Sequence, residues 1–491
     1  MGALQSRSAR GSRRLAVAVL LAALAAIVQA AGAAAAPSTG LLKIAGSFPA
    51  GVDAGNFQYV VLHSDRAALI PALKAANPQL KVLVYKDMAA AVSWAGTTRL
   101  PTGVSMAEAA ANPEWFLTDT SGRRIEWCDY AGDWQMDVGS RSYQERWAAN
   151  VAEDVRAHGW DGVFVDDANA SQSWHLCGRT IAKYPTDAAY AAATRSFLAG
   201  VGPQLTAQGM LVIPNIYLPY SPNALATWLD WISFTSGAMQ EYWSKWGTGT
   251  TGHFAGDDWT YRQQFLAATQ RAGKIFLGLT YAPAGDERSM RYARSTFLLD
   301  WDGGESALLL ESGSGVDPTA ADWMTDIGTP RGPRYPVGGA WRRDYSGGTV
   351  VVNPSPGTVW VSLAAPHVDQ DGRLVSSLAL APATGAVLRS VGAPAPAAVR
   401  PSPAPTVLPD FRLKLVKQGR SGVDLYWSGV AAGAAVDVFR NGLRIAPLAG
   451  ESAFRYSSYP DRLSHSTRGR YTWQVCLAGT ARCSNPASLS Y

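Results

Sequence analysis

Gly159-Trp-Asp-Gly-Val-Phe-Val-Asp-Asp-Ala-Asn169 is the stretch on which the fold turns. An Asp-Gly entry leads into the apolar run Val163-Phe-Val165, and two carboxylates, Asp166 and Asp167, stand where that run should end. A short run that is apolar on both faces and bounded by turn residues predicts a strand buried on both sides, as in a parallel sheet covered by helices. Acids at the tip of such a strand are costly unless they are paired, hydrated or functional. Successive side chains of a strand point to opposite faces, so Asp166 and Asp167 are expected to hold different roles. Solvated acids capping the next helix are the alternative.

Working outward, similar runs recur at Leu41-Leu-Lys-Ile-Ala45, Tyr59-Val-Val-Leu-His63, Lys81-Val-Leu-Val-Tyr85, Met210-Leu-Val-Ile-Pro214, Trp231-Ile-Ser-Phe-Thr235, Ile275-Phe-Leu-Gly-Leu279 and Ala307-Leu-Leu-Leu310. With Gly162–Asp166 they make eight strands. Segments of helical spacing lie between most of them: Arg66 to Ala76, Ser142 to His158, Asp187 to Gln208, Trp259 to Ala272 and Glu287 to Leu299. Strands alternating with helices predict an α/β fold, a (β/α)8 TIM barrel over residues 37–330. A doubly wound open sheet is the alternative, but no GxGxxG or P-loop follows an early strand.

Past residue 330 the helical period stops. Runs such as Gly348-Thr-Val-Val-Val-Asn353 and Thr358-Val-Trp-Val-Ser-Leu363 predict a small antiparallel β domain over 331–392. A Pro/Ala-rich linker, 393–409, separates it from a last module at 410–491 that alternates with period two and carries the turn Asn441-Gly442. At the other end, Arg7 to Arg14, an apolar run from Leu15 to Val28 and the small residues Ala33 to Ala36 read as a signal peptide, 1–36. A retained N-terminal anchor is the alternative. The expectation is a secreted, extracellular protein with no membrane contact beyond such a tether.

The chain has 491 residues, 47% hydrophobic and 16% charged, which excludes disorder. Once the four leader arginines are set aside, basic and acidic residues nearly balance, so no nucleic-acid partner is expected. A monomer is expected. Four cysteines in an exported chain read as two disulfides, Cys476 with Cys483 across a hairpin and Cys128 with Cys177 by default, two free thiols being the alternative for the second pair. No metal-binding spacing is present, and neither a metal nor a cofactor is expected.

Asp161-Gly-Val-Phe-Val-Asp166 resembles the fourth-strand motif of α-amylase-superfamily glycosidases, in which the last Asp is the nucleophile. Over residues 40 to 390, including Trp341-Arg-Arg-Asp-Tyr-Ser-Gly-Gly-Thr-Val-Val-Val-Asn-Pro354, the chain is similar to glycosidase-like family fifteen and, more distantly, to the endo-polygalactosaminidases. The resemblance implies a TIM barrel, an exported enzyme and a polysaccharide substrate. The last module resembles a fibronectin type III domain through Trp427, Arg440-Asn-Gly442, Tyr471-Thr-Trp-Gln-Val475 and Cys476 to Asn485. That implies a spacer, with carbohydrate binding as the sharper alternative.

The fifth strand departs from the α-amylase pattern: it ends Pro214-Asn215, where those enzymes place the acid Glu. Glu241, shortly after the sixth strand and beside Tyr242 and Trp243, is the expected general acid/base, with Glu311 at the tip of the eighth strand as the other candidate. Glycoside hydrolysis needs two carboxyl groups, one protonated and one ionised, and Asp166 suits the second role. Flat aromatic faces and polar groups at strand ends serve sugar binding. Tyr217, Tyr242, Trp243 and Tyr281, with Lys86, Asp87, Asp137, Asp167, Asn169, Asn215 and Glu311, are therefore the expected substrate contacts. The function read here is polysaccharide hydrolysis; the rival is a barrel that binds polysaccharide at the cell surface without cleaving it.

Because the Pro/Ala-rich segment interrupts every hydrophobic pattern, a chain ending at Gly392 is expected to keep its fold by circular dichroism and its activity on a soluble substrate. An insoluble or unfolded product would show the boundary to be misplaced.

Overall fold

The computed structural model describes residues 42–44, 57–283, 285–311, 325–392, 411–418, 422–428, 435–448, 458–462, 469–478 and 482–491. The chain divides into two units, 1–37 and 38–491. The first unit, with the leader read at 1–36, and the linker read at 393–409 lie outside the described residues.

The core is a parallel sheet of β1 (Leu42–Ile44), β2 (Tyr59–Leu62), β3 (Lys81–Asp87), β4 (Gly162–Asn169), β5 (Leu211–Tyr217), β6 (Gly237–Gln240), β7 (Ile275–Tyr281) and β8 (Ala307–Glu311). Its order is the chain order, every neighbouring pair is parallel, and β1 lies beside β8, so the sheet curls into a nearly closed barrel. The helices around it are α1 (Ile70–Ala76), α2 (Arg141–His158), α3 (Asp187–Thr206), α4 (Ala224–Ile232), α5 (Gly256–Arg271) and α6 (Glu287–Asp300). In α2, Tyr143, Trp147, Val151 and Val155 recur every fourth residue and bury one stripe, and Gly159 stops the helix in the left-handed conformation, φ 76°.

Both strand faces are buried, as the apolar runs require. Tyr59, Val61, Leu83, Tyr85, Phe164, Ile213, Met239, Leu277, Leu279 and Leu309 fill the barrel interior. Val60, Val82, Val84, Val163, Val165, Val212, Phe276 and Leu308, on the alternate positions, pack beneath the helices. Counting on by two from the interior set reaches Asp87, Asp166, Asn215, Glu241, Tyr281 and Glu311 at the strands' C-terminal ends. The mouth of the barrel is therefore polar directly above an apolar filling.

One strand is displaced from its expected position. Trp231 and Ile232 close helix α4, and β6 begins at Gly237. Trp228, Trp231 and Ile232 are all buried and lie at i, i+3 and i+4, a helical face that outweighs the β-branched composition. The shift moves the strand end forward to Gln240, immediately before Glu241.

A six-stranded antiparallel sheet follows: β9 (Pro330–Val337), β10 (Ala340–Tyr345), β11 (Gly348–Asn353), β12 (Val359–Val368), β13 (Leu374–Leu380) and β14 (Thr384–Ser390), in the order β9-β10-β11-β14-β12-β13. It packs on α6, where Arg343 donates to the Trp301 carbonyl at 2.5 Å and Gly385 leaves room for Ser295. The last strands are β15 (Arg412–Gln418), β16 (Gly422–Ser428), β17 (Val436–Arg440), β18 (Leu443–Leu448), β19 (Ser458–Arg462), β20 (Arg470–Leu477) and β21 (Ala487–Ser490). They form two antiparallel sheets, β15-β16-β19 and β18-β17-β20-β21, over a core that includes Leu413, Leu425, Trp427, Val438, Trp473 and Val475. Disulfides join Cys128 to Cys177 and Cys476 to Cys483. Among the described residues no helix is long and apolar enough to cross a membrane.

A methyl group added at Gly162 would lie 2.0 Å from the Leu211 carbonyl oxygen of the neighbouring strand, and one at Gly237 2.0 Å from that of Ile275. Backbone cannot yield there without parting strands. Gly162→Ala and Gly237→Ala are each expected to lower stability by about 2 kcal/mol or more in urea denaturation.

Candidate active site

Four strands deliver the polar layer at the mouth. Asp87 and Asp166 are opposite one another on β3 and β4, Asn215 closes the interior row of β5, and Tyr281 that of β7. Asn215 holds the arrangement together. Its amide nitrogen donates one hydrogen to Asp166 Oδ1 and the other to Glu241 Oε2, each at 2.9 Å, so these two oxygens are at most twice that distance apart. Tyr85 donates to Asp166 Oδ2 at 2.6 Å, the Asp167 amide donates to Asp166 Oδ1 at 2.9 Å, and Tyr281 donates to Glu241 Oε1 at 2.7 Å.

Strict alternation would turn Asp167 away from Asp166, and it does not. The pairing of β4 with β5 slips between Val165 and Ala168, and Asp167 adopts φ 58° within that bulge. Its carboxyl is thereby hydrogen-bonded to Asp87 as well as to Asn169 Nδ2, the latter at 2.8 Å. Asp166 and Asp167 belong to one cluster.

Electrostatics sort the four carboxyls. Burial, then the charges of Asp167 and Asp166, hold Asp87 well above the usual carboxylate range, so it keeps a proton and donates it to Asp167. Burial also acts on Asp167, but hydrogen bonds and charge from His175, with Asp87 and Asn169, hold it below the usual value. Burial, the Asp167 charge and the Glu241 charge push Asp166 up to about 7. Glu241 is raised as well, chiefly by burial, against the hydrogen bonds from Tyr281 and Asn215. The arrangement therefore holds Asp166 near the point of ionisation at neutral pH and raises Glu241 as well, shifts that favour general acid/base chemistry. Among the described residues no group of three or more His, Cys, Asp and Glu is arranged to hold a metal ion.

Around this cluster stand aromatics. Tyr242, left-handed at φ 51°, packs 4.9 Å from Tyr281 and 4.6 Å from the exposed Trp246, ring centre to ring centre. Trp174 and Tyr217, both exposed, meet edge to face at 4.9 Å. Tyr220 is exposed on Tyr261.

Three expected contacts are elsewhere. Lys86 lies on the outward face of β3, where its ammonium meets Asp154 of α2 at 2.7 Å, since position 86 alternates with the interior Tyr85. Asp137 accepts from Lys183 at 2.5 Å and Tyr184 at 2.6 Å and caps the turn at Gly139, away from the cluster. Trp243 is buried against Phe276 and Phe297, because the left-handed Tyr242 turns the chain back under the helices. Register places Glu311 beside Tyr281; its side chain lies outside the described residues.

Asp87 lies in the cluster, and Tyr85 and His175 join it without having been singled out as site residues. Counting back by two from Asp87 along β3 would have found Tyr85. His175 has no such signal: it sits in a four-residue helical turn after β4.

A family model described as "hypothetical glycosyl hydrolase family 15" matches residues 74–349, more than half of the chain. Among solved structures, the chain is similar to Ega3 of Aspergillus fumigatus in complex with galactosamine, at 12% identity and TM-score 0.35, over 56% of this chain and 92% of that one. An α-amylase from Malbranchea cinnamomea matches at 11% and 0.42, over 69% and 86%. A GH31 dextranase from Flavobacterium johnsoniae, complexed with glucose, matches at 10% and 0.39, over 84% and 65%. No curated protein matches.

Asp166 binds its proton more tightly in the folded chain than in the unfolded one, where a value of 3.8 applies, so through this group stability is lost as pH rises from near 3.8 towards 7. Asp166→Asn keeps the hydrogen-bonding shape and removes the charge. It is expected to raise the melting temperature at pH 8 and to change it little at pH 4 by calorimetry; an equal effect at both would show that burial of this charge costs nothing.

Proposed function

The chain belongs to hypothetical glycosyl hydrolase family 15, and we propose that this glycoside hydrolase cleaves a polysaccharide with Asp166 and Glu241 as its carboxyl pair. One observation carries the assignment: a single amide, that of Asn215, donates to both carboxyls. Retaining glycosidases hold their two carboxyl groups about 5 to 5.5 Å apart, and inverting enzymes about 6.5 to 9.5 Å, to admit a water. A shared amide donor favours the shorter class. The reaction proposed is therefore a double displacement with retention.

Glu241, raised towards the protonated form, gives its proton to the departing glycosidic oxygen while Asp166, pushed up to about 7 and acting in its ionised form, attacks the anomeric carbon through Oδ, forming a glycosyl ester as the bond to the leaving oxygen breaks. Glu241, now ionised, takes a proton from water; the hydroxide so generated attacks the same carbon and releases Asp166. Tyr85 and the Asp167 amide hold the attacking carboxylate, and Tyr281 orients Glu241. The exposed aromatics Trp174, Tyr217 and Trp246 offer faces for sugar rings.

The same reading takes the parallel barrel as (β/α)8 and the last module as fibronectin type III-like, a strand order of three and four in two facing sheets supporting it. Two disulfides suit a secreted protein whose leader is removed near Ala36.

Against a panel of bacterial and plant polysaccharides, Asp166→Asn is expected to lower turnover by about three orders of magnitude or more with folding intact. Glu241→Gln should spare an activated aryl glycoside far more than a polysaccharide, because a good leaving group needs no proton. Proton NMR of the first product should show the substrate's anomeric configuration; the opposite anomer, or near-normal turnover in Asp166→Asn, would remove the mechanism.

A further inference from the structure

Beyond the two carboxyls lies a side-chain relay that the hydrolytic steps do not use. His175 is 4% exposed, and its ring is stacked on Trp127 at 3.8 Å and 4°. Nδ1 faces the Asp129 carboxylate at 2.8 and 2.9 Å. Nε2 faces two groups of opposite kind: the Trp174 indole N–H, a donor, at 2.7 Å, and Asp167 Oδ1, an acceptor, at 3.5 Å. An imidazole nitrogen can satisfy only one of these at a time. Neutral His175, with its proton on Nδ1, accepts from Trp174. Protonated His175 must give Nε2–H to an acceptor, and Asp167 is the one in reach.

The loops bearing these groups are fixed from outside. Cys128 precedes Asp129, Cys177 follows His175 by two residues, the two cysteines are bonded, and the Cys128 amide donates to the His175 carbonyl at 3.0 Å. Trp174 in turn is exposed at the mouth and packs against Tyr217.

We propose that His175 is a positioning residue with two settings, indole-bound when neutral and Asp167-bound when protonated, so that a sugar ring displacing Trp174 transfers positive charge towards the carboxyl cluster. The inference rests on the mouth being the site of hydrolysis. The groups facing His175 are Asp129, Asp167, Trp174, Trp127 and Tyr130, with Asp133 near enough to interact by charge. Those facing Asp167 are Asp87, Asp166, Asn169 and His175, and its charge reaches Tyr85, Asp133, Tyr190 and Glu241. Burial works against the histidine's charge, but Asp167 and Asp129 together raise its titration above the ordinary value.

The test is a titration of the histidine ring signals by NMR in the full oxidised chain, with His175→Gln identifying the signal. The wild-type ring should titrate above an ordinary histidine. Trp174→Phe keeps an aromatic ring but removes the donor that favours the neutral form, so it should move the titration up by about half a pH unit or more. Asp129→Asn should move it down by a similar amount. On any polysaccharide that the wild type hydrolyses, His175→Gln removes a cation beside the carboxyls and should shift the acid limb of the pH profile up by about one unit, whereas Trp174→Phe should shift it down. A ring that titrates at or below the ordinary value, or that ignores Trp174→Phe, overturns the proposal, as do limbs displaced in the same direction by both variants. If the wild type hydrolyses nothing, the hydrolytic reading fails, and the ring titration still decides the two-setting relay.

Discussion

Four carboxyl groups, Asp87, Asp166, Asp167 and Glu241, share one side of a barrel whose interior is otherwise apolar, and like charges drawn together out of water repel strongly. The rest of the site is arranged around that repulsion. Asp87 keeps a proton and donates a hydrogen bond with it to Asp167; Tyr85, Tyr281 and Asn215 donate hydrogen bonds to the other two. Those last three donors come from three different strands, so the cluster exists only while β3, β4, β5 and β7 keep their register. The apolar filling of Phe164, Ile213, Met239 and Leu279 fixes that register, because a slip of one residue would send every interior side chain to the helix face.

The parts of this arrangement that were legible in the sequence are those set by a local period. Apolar runs buried on both faces announced strands, and the acids after Val165 announced a strand end carrying a cluster of carboxyl groups. Asp166 was readable because it stands at the end of such a run; Glu241 was found beside Tyr242 and Trp243, although the strand before it had been placed too early. Asn215 was noticed as a departure from a family pattern and read as a substrate contact; its use as a shared donor depends on two residues, 49 and 26 positions away in the chain, that meet only in the folded barrel. His175 was illegible for a related reason, since the Cys128–Cys177 link and Asp129 bring it in from a loop with no period of its own.

Where alternation misled, backbone conformation had broken it. Asp167 and Tyr242 are both left-handed, and each redirects a side chain: the first turns its own carboxyl inward, the second sends Trp243 under the helices. Trp231 misled differently. Its composition is that of a strand, but Trp228, Trp231 and Ile232 fit one buried helical face, and burial decided.

The left-handed backbone of Asp167 also limits how this position can drift over generations. Most side chains in that conformation cost roughly 1 to 2 kcal/mol, whereas Asn, Asp and Gly tolerate it. Glutamate would preserve the charge and still be disfavoured, while asparagine would preserve the backbone and lose the charge. Asn or Gly can therefore replace Asp167 at little cost to the backbone, whereas a chain that keeps a carboxylate at this position has almost no other residue to move to.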